Sequence, residues 1–404
     1  MKVEKSPQLG SGILQNLASR PVIKGIGFGV FFALLCAQAA VAQSWTLTSA
    51  PAQPWSSIAS SADGATLIAA ANSNVVYVSS DSGGSWVSSK NSPSNSLPFI
   101  ACSADGVRAA LAPNINVPIY ISSDSGMTWA QTASPTGNWS GLVCSDDAQT
   151  LIAASWDGGV YISTDFGTNW RTSSLPQAHW CALACSADGT KVVAANASYS
   201  QYVYISTNSG ATWSFKLLPL RSSAQLALAC SKDGSKLLLA TAADQLCSSS
   251  DSGATWALMN APAVPWSHIA CSADGTRIVG IAGQTVLSST DSGSTWSRTI
   301  VGQSLLECVV GSSDMTKLAA VSWWEGIYTT RIPPALTISP SSRQSIISWP
   351  NWASAKDMVL ETSSNPFSEA QWTPTSNNVC ANGDFCFVTN SIGTSNAFFR
   401  LHKP

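Results

Sequence analysis

The stretch "SSDSGMTW" (Ser122–Trp129) gathers turn-forming residues around one aspartate and ends on a large aromatic ring. It has five relatives: "SSDSGGSW" (79–86), "STDFGTNW" (163–170), "STNSGATW" (206–213), "SSDSGATW" (249–256) and "STDSGSTW" (289–296). The residues at the aspartate position are Asp81, Asp124, Asp165, Asn208, Asp251 and Asp291, a period of 40 to 43 residues. A second signature, "CSADG" and its variants, keeps the same period. Its aspartates are Asp63, Asp105, Asp147, Asp188, Asp233, Asp274 and Asp314, seven against six.

Between the signatures lie short apolar runs such as "TLIAAA" (66–71) and "VVYVSS" (75–80). Val, Ile and Tyr suit a pleated surface, and the Gly, Asn and Asp around them suit turns. Each unit reads as four strands, A to D, with "SADG" between A and B, the aspartate motif between C and D, and the Trp opening D. Seven such units predict an all-β chain whose body is a seven-bladed β-propeller. The seventh unit stops at "RIPP" (331–334) without an aspartate motif or its Trp. The missing strand stands at the front of the chain. There "SWTLTSAPAQPW" (44–55) copies "TWALMNAPAVPW" (255–266), and Trp45 completes the series Trp86, Trp129, Trp170, Trp213, Trp256 and Trp296. An N-terminal strand closing the last blade removes the open edges of the ring.

The motif at Ser122–Trp129 resembles the Asp-box, or bacterial neuraminidase repeat, of sialidases, sortilin-type receptors, some endoglucanases and the photosystem II assembly-factor propellers. The resemblance covers residues 44–331 and implies a fold more than a function, because those families do unrelated things. The chemistry of the motif is local. Its carboxylate accepts turn N–H groups, its glycine permits positive φ, and its Trp buries apolar surface. Asn208 keeps the acceptor oxygen without the charge, so the six positions read as structural. The two turn signatures account for twelve of the twenty-two acidic residues.

A sialidase resemblance would imply an arginine triad gripping a carboxylate. Here Arg108 and Arg277 follow A–B turns, and Arg171 and Arg298 lie on outer strands, away from the axis. A different glycosidase needs two carboxyls about 5 to 10 Å apart. Asp157 ("SWDGG") and Glu325 ("SWWEG") sit in B–C hairpins of the third and seventh blades, across the ring from each other. The expectation is no catalytic residue, with a glycoside hydrolase as the alternative. No metal-ligand spacing appears and no cofactor is implied. A net charge of −2 offers nothing to nucleic acid.

The remaining aromatics suggest a binding rim. Trp55, Trp139, Trp180 and Trp266 each stand eight residues before an A–B turn aspartate, leading into strand A, while Trp156, Trp323 and Trp324 sit in B–C hairpins. Both loop sets share one face around the channel mouth, where Trp beside Asp157 and Glu325 would suit a glycan or a protein partner. Blade packing is the competing reading of the lead-in position.

Residues 1–42 read as a signal peptide: four basic residues, an apolar run and the small-residue pattern Ala40-Val41-Ala42. The mature protein, 43–331 plus a tail over 335–404, is expected to be exported, without a membrane span, and monomeric. Cys102, Cys144, Cys185, Cys230 and Cys271 all precede their turn aspartate by three residues. Such equivalent sites on neighbouring blades lie too far apart for bridges, so free thiols are expected. Cys380 and Cys386 flank an Asn-Gly turn and could form a hairpin disulfide. The tail's short apolar runs predict a small β-sandwich.

Overall fold

The computed structural model describes residues 44–331, apart from 74, 93–97, 198–201 and 220–225, and the tail strands within 337–402. The leader expected over 1–42 lies outside the described residues. Among the described residues every regular element is a strand.

Seven four-stranded antiparallel sheets follow one another. The third is typical: strand A, Trp139–Cys144, pairs with B, Leu151–Ser155, then C, Val160–Ser163, then D, Arg171–Thr172. The B strands are buried apart from an end residue in two of them, Ala282 and Lys317, as in "LIAAA" (67–71) and "LIAAS" (151–155), because both faces of each blade are covered by its neighbours. The last blade takes A, B and C from Leu306–Gly311, Lys317–Ser322 and Ile327–Arg331. Its fourth strand is Thr46–Leu47, with Thr46 across from Thr329 and Leu47 across from Tyr328. Thr48 N–H donates to the Ile327 carbonyl at 2.9 Å and Thr330 Oγ1 to the Ser44 carbonyl at 2.8 Å. The front of the chain closes the ring.

Seven apolar clusters fill the seams, one between each pair of neighbouring blades, and each receives one Trp of the series beginning with Trp45. Trp45 packs against the cluster of the sixth and seventh blades, beside Val279, Leu306 and Tyr328. The aspartate turn of each blade presses on the blade before it. At Gly210 (φ 73°) and Gly253 (φ 85°) an added Cβ would run into Ile162 and Ile205 of the preceding blades. Glycine is required there twice over, by conformation and by space.

The turn carboxylates do what their local chemistry implies. Asp124 Oδ1 accepts from Ser122 Oγ (2.7 Å) and Thr128 N–H (2.9 Å), and Oδ2 accepts from Thr128 Oγ1 (2.6 Å). Asn208 repeats this with Oδ1 and donates from Nδ2 to Thr212 Oγ1 at 2.9 Å. Asp124→Asn should therefore cost no more than about 1 kcal/mol, read as a small drop in melting temperature.

Acid acts on the turns that carry an aspartate. Asp81 is held at about 2 by the Ser85 N–H, then by the hydroxyls of Ser85 and Ser79. Asp251 and Asp291 are held at about 2 mainly by the Thr255 and Thr295 hydroxyls. An unfolded aspartate titrates near about 3.9. Depressed folded values mean stability fully present above about pH 4 and lost as pH falls through about 2. Melting temperature measured from pH 5 to pH 2 should fall steeply only in the lower part of that range; a flat profile would contradict the assignment.

A belt of backbone hydrogen bonds ties the A–B turns into a second closed ring. Ala62 N–H donates to the Ala104 carbonyl, Ala104 to Asp146, Asp146 to Ala187, Ala187 to Lys232, Lys232 to Ala273, Ala273 to Ser313, and Ser313 back to Ala62, all at 2.6 to 2.8 Å. Each blade gives one N–H and accepts one, always in the same sense around the axis.

The tail forms two antiparallel sheets. One holds Thr337–Ser341, Gln344–Pro350, Phe385–Ser391 and Cys380–Asn382; the other holds Thr373–Pro374, Val359–Ser363 and Phe398–His402. Cys380 stands across from Phe387 and Cys386 across from Ala381. The side chains of Cys380 and Cys386, and so the bridge expected between them, lie outside the described residues.

Candidate functional site

The two sets of tryptophans expected on one rim separate cleanly. Trp55, Trp139 and Trp180 are 0% exposed and Trp266 is 1% exposed, so none of the four is available to a ligand. Trp55, Trp139 and Trp180 meet Tyr77, Tyr161 and Tyr204 of strand C edge to face at 5.3 to 5.7 Å, and Trp266 packs on Trp296 at 5.5 Å. Three indole N–H groups donate to nearby carbonyls, those of Pro51, Val117 and Pro176. The reason is geometric. A bulge just after the Trp of Trp55, Trp139 and Trp180 turns strand A as it leaves the loop. The ring then lies in the seam cluster. The lead-in position is core. The repeated strand-C tyrosine in "VVYVSS", "GVYIST" and "YVYIST" is the signal that could have shown it.

The hairpin tryptophans behave differently. Trp324 is 71% exposed and Trp156 is 42% exposed. Trp323 is half-buried and supports Trp324 edge to face at 6.1 Å. Leu305, which sequence reasoning passed over, is 60% exposed and accepts the Trp323 N–H at its carbonyl (3.4 Å). On the third blade, His179 lies against the Trp156 ring at 5.1 Å between centroids. Its Nδ1 is 2.9 Å from the Trp156 carbonyl oxygen, a contact that requires the proton on Nδ1.

Both hairpin acids are hydrogen-bonded within their own blade. Glu325 takes the Gln303 N–H on both oxygens (2.7 and 3.0 Å) and the Tyr328 hydroxyl on Oε2 (2.6 Å). Burial, and then that bond to Glu325, push the Tyr328 hydroxyl up to about 12. Asp157 accepts from Asn138 Nδ2. The acids share no partner, and each braces its own hairpin against the loop that enters a strand A. The structure thus builds two separate aromatic hairpins on one face, on the third and seventh blades.

The opposite mouth, inside the belt, is a cavity of about 190 Å³ lined by Cys102, Cys144, Cys185, Cys230 and Cys271. These thiols are free. Cys144 and Cys185 each donate to the carbonyl of the equivalent cysteine one blade back, at 3.2 Å. Desolvation pushes the Cys102 and Cys230 thiols up to about 12, which disfavours the thiolate at neutral pH. Lys232 and Asp146 pair across this mouth at 2.7 Å, spanning the blade between them. Deeper in, His268 Nε2 and Cys308 Sγ approach to 3.5 Å, a pair the repeat pattern hides because neither residue recurs. Among the described residues no helix is long and apolar enough to cross a membrane.

No family model and no curated protein matches the chain. Solved structures do. YCF48 from Cyanidioschyzon merolae superposes with a TM-score of 0.57 at 14% identity, covering 72% of this chain and 99% of that one. A structure of YCF48 bound to D1 peptide gives 0.55 at 14% identity, covering 72% and 96%. At that identity the likeness is one of fold, and the fold is the seven-bladed β-propeller.

Proposed function

We propose that this chain is an exported, non-catalytic propeller of the Asp-box kind that takes a segment of a partner protein on its hairpin face. The observation that carries this is the seventh-blade ridge of Trp324, Trp323 and Leu305. A chain that buries four tryptophans almost completely leaves this one 71% exposed on a braced hairpin. Exposed aromatic ridges on rigid supports are where partner segments gain binding energy. YCF48, a propeller of the same architecture, has been solved with a peptide bound. The bonds that engage both oxygens of Glu325, and its position across the ring from Asp157, support a binding role over a hydrolytic one.

Peptides selected from a display library on the wild-type protein should bind about tenfold or more weakly to a Trp323→Ala/Trp324→Ala variant that melts normally. Binding on a glycan array lost in the same variant would keep the face and replace the partner by a sugar. Turnover of sialosides or β-glucans abolished by Asp157→Asn or Glu325→Gln would overturn the proposal. The export element is checked separately: the N-terminus of the mature protein should begin at Gln43.

A further inference from the structure

The seam where the chain closes differs from the other six. Lys317 and Arg331 stand directly across from each other on strands B and C of the seventh blade. In the first blade the corresponding residues, one step outside the Leu67–Ser79 pair, are Thr66 and Ser80. Directly opposed like charges repel, and in a cross-strand pair their Cβ atoms are only about 5 Å apart. The sequence accepts this at one place, where the aspartate turn is missing: Thr330 takes the position of its leading Ser or Thr, and Arg331 takes the next one.

Both cations line a cleft of about 300 Å³ between the seventh and first blades, together with Ser44, Thr46, Ser82 and Thr330. Lys317 Nζ donates to the Asp63 carbonyl at 2.8 Å, which fixes the ammonium at the cleft. The comparable Lys191 donates both to the Asp233 carbonyl and to Ser252 Oγ, each at 2.9 Å. Ser252 corresponds to Ser82, yet Lys317 makes no such bond. Among the described residues the Ser44, Thr46 and Ser82 hydroxyls are unengaged, and the one ion pair, Lys232 with Asp146, joins the A–B turns of the fifth and third blades and does not reach this cleft. Asp63, the nearby acid, has its Oδ1 occupied by Ser61 Oγ at 2.6 Å and Ala65 N–H at 2.9 Å; its charge and that of Lys317 attract each other, which leaves Arg331 as the cation without an acidic neighbour.

We infer that this cleft binds a compact oxyanion, a phosphate or a carboxylate, with Arg331 as its fork-shaped anchor, Lys317 as a second charge and the seam hydroxyls as donors. An anion there would join strand C, strand B and the N-terminal closing strand, and so stabilise the closure itself.

The test uses the full exported chain, with inorganic phosphate titrated against sodium chloride at matched ionic strength. Melting temperature should rise saturably with phosphate, and calorimetry should give a single site. Binding should weaken about tenfold or more in Arg331→Gln and stay unchanged in Arg298→Gln, an outer-strand control. A second arm compares a short peptide with a free C-terminal carboxylate against its amide. Saturable binding of phosphate alone assigns a free anion, and preference for the carboxylate over the amide assigns a chain terminus. If neither probe saturates, or if Arg331→Gln responds like the wild type, the site does not exist.

Discussion

Removal of residues 43–50 is expected to lower the melting temperature of the propeller by on the order of 10 °C, the largest effect of any short deletion. The deletion takes out the two-residue pairing with Tyr328 and Thr329, the Thr48 bond to Ile327, and the Trp45 ring packed in the sixth–seventh seam. The partly buried ring alone is worth about 2 kcal/mol. The backbone belt still ties all seven A–B turns, so the truncated protein should remain folded but expose Ile327–Arg331 as a free edge. Such an edge invites pairing with another chain. Light scattering should therefore show association, and a synthetic peptide of residues 43–50 should reverse both changes. A truncated protein that melts within a degree or two of the wild type would show that the belt alone closes the ring.

The second large effect separates the two kinds of tryptophan. Trp180→Ala should cost about 3 to 5 kcal/mol. The ring is fully buried, edge to face with Tyr204 at 5.3 Å, and its N–H is satisfied by the Pro176 carbonyl at 3.2 Å. Trp324→Ala, a truncation at a ring 71% exposed, should change stability by less than about 0.5 kcal/mol. Denaturant unfolding of the two variants side by side reads the contrast directly. Equal losses would mean that the hairpin ring is structural too.

Much of the architecture was legible in the residues, because a propeller repeats its turn chemistry. Asp124 and its equivalents marked the C–D turns, and a missing copy at one end with a surplus strand at the other located the closure at Trp45. The belt was not legible. It is made of main-chain groups, so its residues, the Ala of "SADG" in four blades and Asp146, Lys232 and Ser313 in the others, carry no side chain that announces the bond. The lead-in tryptophans were misplaced for a related reason. Spacing gives the position along the strand, but the bulge after Trp139 or Trp180 decides which way the ring turns. The hairpin set was placed on an exposed loop by its position between strands B and C, and Trp324 and Trp156 are exposed. Leu305 and His179 were missed because each is a lone residue outside every repeat. The Arg331 cleft was hidden because it needs the seventh blade's irregularity and the fold at once.

The central claim is that the repeated turns hold the scaffold while the hairpin face binds. Affinity for a display-selected peptide, measured by calorimetry in Asp124→Asn and in Trp324→Ala alongside melting temperature, tests it most directly. The account predicts that Asp124→Asn loses a little stability and keeps its affinity within about twofold. Trp324→Ala should keep its stability and lose about tenfold or more in affinity. A normally melting Asp124→Asn protein that no longer binds, or a Trp324→Ala protein that binds as well as the wild type, would contradict it.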